Sequence, residues 1–154
     1  ATGRLQMNHP RAIPWEGSGA FLLAPASATG NGHDLLITRR DVNEIQLAKG
    51  AIRAGIEVLL QEAGLTAQDI DTFIVAGAFG TYLDLESAIR IGMFPPLPLE
   101  RFKQVGNAAG TGARQMLISA ARRRLATQIG ERVRYVELTV HPGFTKAYMD
   151  AMYL

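Results

Sequence analysis

Phe73-Ile74-Val75-Ala76-Gly77-Ala78-Phe79-Gly80 is the stretch that decides the fold, and Phe102-Lys103-Gln104-Val105-Gly106-Asn107-Ala108-Ala109-Gly110-Thr111-Gly112 repeats its plan. Each begins as a short β-branched or aromatic run, breaks into small residues and opens a helix. A Val- and Ile-bearing strand needs burial, and a glycine straight after it lets the backbone turn sharply or approach a ligand closely. Strand, glycine turn and helix in succession is how open α/β sheets place ligands at the carboxyl ends of their strands. A single such turn serves equally well as a plain strand–helix connection. Two in succession point toward a nucleotide site.

Upstream, the first 37 residues read as three strands: one ending around Arg4–Met7, one at Gly19–Ala24 and one at Asp34–Ile37. Thr29-Gly30-Asn31-Gly32 supplies a tight turn before the third, because Asn and Gly both tolerate positive φ. Trp15, among Pro10, Pro14 and Gly17, reads as a loop anchor on the core. Thr38 and Asp41 form a capping-box signal for the longest helix, which Gly64 closes. Val42, Ile45, Ile52, Ile56, Leu59 and Ala63 make its apolar stripe at three-to-four spacing. Ala48, Gly50, Ala51, Ala54 and Gly55 give it a small-residue face for close approach to the sheet or a ligand. Lys49 lies in that face, as a solvated lysine or a ligand-facing cation.

Downstream of the first turn, Asp84 reads as the N-cap of a helix over Leu85–Gly92, with a role near nucleotide or Mg²⁺ as the alternative. Phe94-Pro95-Pro96-Leu97-Pro98 reads as a stiff surface connection, since proline suits neither helix interior nor central strand. A strand over Arg101–Val105 leads to the second turn and a helix from about Thr111 to Ile129. That helix carries Arg114 and the run Arg122–Arg124, a solvated face or a dock for an acidic partner. Arg132–Leu138 alternates like an edge strand with one wet face, and Pro142 suits the first turn of a last helix reaching Tyr153.

Composition sets outer limits. The 154 residues make one domain or a piece of a larger one, with 47% apolar and 19% charged residues. No apolar run approaches the ~20 residues of a membrane helix, and the N-terminus lacks a hydrophobic signal core. The first residue is not Met, which suggests a piece of a longer protein. There is no cysteine, so this segment makes no disulfide, thiolate nucleophile or iron–sulfur ligand. His9, His33 and His141 are scattered through loops, a poor basis for a metal site. A formal net charge of +2 does not favour nucleic-acid binding.

Three antiparallel strands followed by alternating helices and strands resembles the ribonuclease-H-like unit, one lobe of the acetate and sugar kinase/Hsp70/actin (ASKHA) superfamily. The resemblance extends to residues. The segments Ile37–Gly55, Ala76–Asp84, Val105–Ala113 and Met149–Tyr153 closely resemble the corresponding parts of the ferredoxin-containing reductive activators of corrinoid proteins. The match runs from about residue 19 to the C-terminus.

That resemblance implies an α/β, actin-like lobe with a mixed five-stranded sheet flanked by helices and an extra C-terminal strand and helix. Residues 1–154 would be a single domain, the C-terminal lobe of a larger ATPase domain, with ferredoxin and phosphate-loop segments upstream. It implies the adenosine-side lobe of an ATP-dependent activator that returns cob(II)alamin proteins to cob(I)alamin. ATP and Mg²⁺ would serve the whole protein, and a [2Fe–2S] cluster would sit only in its N-terminal domain. The expected partner is a corrinoid protein of a methyl-transfer pathway, in the cytoplasm, without nucleic acid or membrane; a homodimer is left open. Gly77, Ala78, Phe79 and Gly80 match the superfamily's adenosine-binding turn, and Asn107, Gly110 and Gly112 match the second small-residue loop, with Lys49 as the added candidate. No general base is assigned. The alternatives are a protein-docking module with a vestigial nucleotide fold and a sugar or acyl kinase lobe; no substrate base or acid cluster supports the latter.

Overall fold

The computed structural model describes residues 6–153. Strands β1 (Ala12–Trp15), β2 (Ser18–Ala24) and β3 (Leu35–Thr38) form an antiparallel sheet in the order β1-β2-β3. Glu16 and Gly17, at φ 44° and 73°, make the two-residue turn that pairs Trp15 with Ser18. Both central residues at positive φ match the right-handed twist of a hairpin. Of the expected strand ending around Arg4–Met7, Arg4 and Leu5 lie outside the described residues, and Met7 is in a turn. Trp15 is not a core anchor either. It ends β1, 39% exposed. Pro14 is tolerated beside it because β1 is an edge strand.

Helix α1 (Arg39–Ala63) follows directly. Thr38 Oγ1 accepts from the Asp41 amide at 3.2 Å while Asp41 Oδ2 accepts from the Thr38 amide at 2.8 Å, so the capping box is complete. Gly64 ends the helix in the left-handed region, at φ 67°. The two glycines of the small-residue face of α1 meet neither strand of the sheet but the C-terminal segment. A Cβ on Gly50 would lie 3.2 Å from Met152 Cγ and 3.4 Å from Tyr148, and one on Gly55 would lie 3.4 Å from Leu138. These glycines make a furrow for the C-terminal helix.

Strands β4 (Phe73–Ala76) and β5 (Phe102–Gly106) pair in parallel, Phe73 opposite Phe102. Between them run α2 (Ala78–Tyr82) and α3 (Leu85–Arg90). The α/β character and the order of elements are as expected, but the strands form ladders of three and of two, not one hydrogen-bonded sheet of five. The proline-rich segment is also not a surface connection: Phe94, Pro95 and Leu97 are buried. The Phe94 ring lies 5.1 Å from Phe73 and 5.9 Å from Phe102, centring the core around Val75, Ala88 and Phe94. Its carbonyl accepts from the Arg53 guanidinium at 3.0 Å. Proline suits this place because it brings no amide hydrogen that burial would orphan.

After β5 the single expected helix is two, α4 (Ala108–Ile118) and α5 (Ala120–Gly130). Ser119 breaks them. Its extended backbone (φ −139°, ψ 116°) cannot continue α4, and its hydroxyl accepts from the Arg122 amide at 3.3 Å to start α5. Arg132–Leu138 does not form the expected edge strand, so the extra C-terminal strand is absent among the described residues. Alternation alone does not make a strand where no neighbour supplies a ladder, and Val133 and Tyr135 are instead 68% and 83% exposed. Helix α6 (Phe144–Ala151) closes the chain against α1, with Pro142 just ahead of it.

Candidate functional site

The parallel pairing of β4 and β5 brings the two glycine turns side by side. The Gly77 amide donates to the Gly106 carbonyl at 2.6 Å. Both residues have positive φ, 101° and 60°, a conformation that side-chain-bearing residues rarely adopt. Nothing lies within 4 Å of a Cβ placed on Gly77, so the space beside this turn is open to a ligand. Gly80 has a different role: it is buried, and a Cβ there would lie 2.8 Å from Val75 Cγ1. Ala78 is exposed, and the Phe79 ring stands 92% exposed beside the turn.

In the second turn, Asn107 Oδ1 accepts from the Gly110 amide at 2.8 Å and caps α4. A Cβ on Gly110 would come 2.6 Å from Asn107 Nδ2, so this glycine keeps room for the cap. Gly112 faces open space within α4. Asp84 caps α3, accepting from the Ser87 amide at 2.8 Å; hydrogen bonding from Ser87 holds its carboxyl below the usual carboxylate range.

Sequence reasoning missed Gln104. Its amide donates to the Gly80 carbonyl at 2.5 Å and the Leu83 carbonyl at 2.9 Å, tying the end of α2 to β5. An outward polar residue in a strand gives no hint of such a cross-element tie. Thr81 adds a hydroxyl bond to the Ala78 carbonyl at 2.6 Å.

Lys49 lies elsewhere. It is 1% exposed, and its ammonium donates to the Tyr153 carbonyl. Burial, and then the nearby Arg53 charge, pull its pKa below the usual lysine value. A groove of about 530 Å³ between α1 and α6 opens beside it, lined also by Arg53, Glu57, Lys146 and Asp150 and by no residue of either glycine turn. Arg53 is paired with Glu57 at 2.5 Å and Lys146 with Asp150 at 2.5 Å. Among the described residues no cluster of three His, Asp or Glu could hold a metal ion.

Comparison with known proteins gives concordant matches. The family model of the C-terminal ASKHA domain of RACo matches residues 1–154. The corrinoid activation enzyme RamQ of Eubacterium limosum is 35% identical over 129 residues, 84% of this chain and 22% of that protein. The [Co(II) methylated amine-specific corrinoid protein] reductase of Methanosarcina barkeri is 32% identical over 102 residues, 66% of this chain and 19% of that protein. A solved structure of a reductive activator for corrinoid, iron–sulfur protein superposes with a TM-score of 0.84 at 34% identity, covering 99% of this chain and 24% of that one. The chain thus spans about a quarter or less of the length of these relatives. Twin glycine turns on a parallel strand pair, in a chain matched from end to end, lead to one conclusion: the chain belongs to the family of the C-terminal ASKHA domain of RACo.

Proposed function

We propose that this chain is the adenosine-side lobe of an ATP-dependent activator that reduces cob(II)alamin in a cytoplasmic corrinoid protein of a methyl-transfer pathway to cob(I)alamin. The observation that carries the reading is the Gly77–Gly106 hydrogen bond, which holds two small-residue turns together at the ends of parallel strands, with open space beside Gly77. Relatives named for corrinoid activation and corrinoid protein reduction support the partner class. In this reading a [2Fe–2S] cluster outside the chain would supply the electron and ATP hydrolysis the driving force; this chain has no cysteine to hold such a cluster. The chain's own part is to let the nucleoside lie against the backbone of residues 77–80 and beside Gly112. Positioning and charge neutralisation dominate phosphoryl chemistry, and this lobe supplies positioning alone.

Gly112→Leu tests the reading better than Gly77→Val. Position 77 has a φ of 101°, so any side chain there strains the turn, whereas Gly112 is helical and open. In the whole protein, Gly112→Leu should abolish ATP-dependent appearance of the cob(I)alamin spectrum while leaving the melting temperature unchanged or raised, since Leu favours helix over Gly by up to about 1 kcal/mol. Unchanged activation would count against the site. For the isolated lobe, ADP affinity should be no better than about millimolar, about −4 kcal/mol. Its chemical-shift changes should cluster at residues 77–80 and 106–112.

A second reading, a docking module with a vestigial nucleotide fold, is favoured by one observation: Asn107 and Gly110 are already engaged in capping α4. It predicts no ADP-induced shifts at either turn.

A further inference from the structure

Between Arg114 and Arg134 the chain carries six arginines (Arg114, Arg122, Arg123, Arg124, Arg132, Arg134), no lysine and a single acid, Glu131. The whole chain has a formal net charge of only +2, so the remainder is net negative and the basic charge is concentrated here. All six arginines are exposed. Five of them enter no ion pair or hydrogen bond through their guanidinium groups among the described residues; Arg123 alone is used internally, donating to the Met116 carbonyl at 2.7 Å and the Leu117 carbonyl at 3.2 Å. That bond ties α5 to the end of α4. Neither helix contains a buried residue, and each packs chiefly on the other.

Apolar side chains are interleaved with the charges. Leu117 and Ile118 are 79% and 77% exposed, and Ile129, Val133 and Tyr135 are exposed as well. Arginine, tyrosine and large aliphatics without lysine is the composition of a protein–protein interface core. A nucleic-acid footprint would add lysine for its phosphate contacts and would not expose this much aliphatic surface. Arginine's planar fork also suits carboxylates held at fixed positions on a folded partner.

We propose that helices α4 and α5 and the segment through Tyr135 form a docking surface for an acidic face of another protein. Identifying that protein with the corrinoid substrate rests on the function proposed above; the acidic chemistry of the partner does not. Charge of this density steers encounter and fixes orientation, which is what an electron-transfer pair requires of a transient complex.

The test uses the whole protein with two double variants, Arg122→Glu/Arg124→Glu and Arg132→Glu/Arg134→Glu, and Arg40→Glu at the start of α1 as a control. Binding to the purified corrinoid protein should weaken roughly tenfold or more in each double variant at low salt, mainly through slower association. The loss should shrink as salt screens the charges. Arg40→Glu should change nothing, and all melting temperatures should match the wild type. Unchanged binding in both double variants overturns the proposal. So does a lower melting temperature without a binding change, which would mean that the surface is covered from within the same protein. A second arm replaces the corrinoid protein with a twelve-residue polyglutamate peptide and, separately, a duplex DNA of equal charge, following hydrogen exchange. Peptide-dependent protection of residues 114–135 supports the proposal even if the corrinoid protein fails to bind, a result that would overturn the functional reading alone. No protection, or DNA binding at least ten times tighter than the peptide, overturns the docking proposal.

Discussion

A single methyl group measures how closely the first turn is built. Gly80 sits with Val75 Cγ1 2.8 Å from where its Cβ would be, and both residues are buried. Gly80→Ala should therefore overpack the end of β4, costing roughly 1–3 kcal/mol. In a chain of this size that is a drop of roughly 2–4 °C in melting temperature per kcal/mol, measurable by thermal denaturation. An unchanged melting temperature would mean that Val75 has room to move. Gly77 shows the opposite case, with open space and a strained φ. Both glycines were visible in the sequence as turn residues, yet nothing in the sequence separates the one that faces open space from the one that admits a strand neighbour. The surroundings of Lys49 were hidden for a related reason: the Tyr153 carbonyl that accepts its hydrogen bond is 104 positions away.

Among the elements, those fixed by near neighbours in sequence were legible. Thr38, Asp41 and Gly64 bound α1 as expected, because caps act over three or four residues. Elements that need a distant partner were not. The alternation of Arg132–Leu138 found no strand to pair with among the described residues, and Phe94 is buried because Phe73 and Phe102 meet around it. The cap of α1 also carries a pH dependence. Backbone and hydroxyl hydrogen bonds from Thr38 hold the Asp41 carboxyl below the usual carboxylate range. A depressed folded pKa contributes stability above the unfolded value and loses it as pH falls through the folded value. Thr38→Ala should cost about 1 kcal/mol near neutral pH. Below the ordinary carboxylate range the difference from wild type should narrow, since the protonated Asp41 no longer holds its half of the box. Urea denaturation at neutral and acid pH checks both parts, and a gap that widens in acid would refute the linkage.

For the molecule as a whole, surface area is the informative quantity. The chain exposes 11252 Å², against the roughly 7,600 Å² expected of a compact monomer of its mass. Much of the excess is apolar: Phe79 and Tyr82 are 92% and 91% exposed on the short α2. Free in solution the chain should self-associate in proportion to concentration, as uncovered apolar patches do. Phe79→Ser with Tyr82→Ser should reduce that association with little effect on the melting temperature, read by sedimentation velocity and thermal denaturation. Association undiminished by the pair would place the sticky surface elsewhere, with Leu117 and Ile118 on α4 as the next to test.

The furrow that Gly50 and Gly55 open along α1 also has a temporal consequence. It is filled by Leu138, Tyr148 and Met152, and among the described residues Lys49 finds its hydrogen-bond acceptor at Tyr153. A ribosome delivers roughly 5–20 residues per second. The middle of the longest helix therefore waits several seconds for the last helix to emerge, its glycines hydrated and its lysine in water. Contacts this distant must repay their loop-closure entropy before they stabilise anything. Until the stretch from Leu138 to Tyr153 arrives, α1 lacks the partner that fills its furrow, and its caps, the first sheet and the core around Phe94 must hold it.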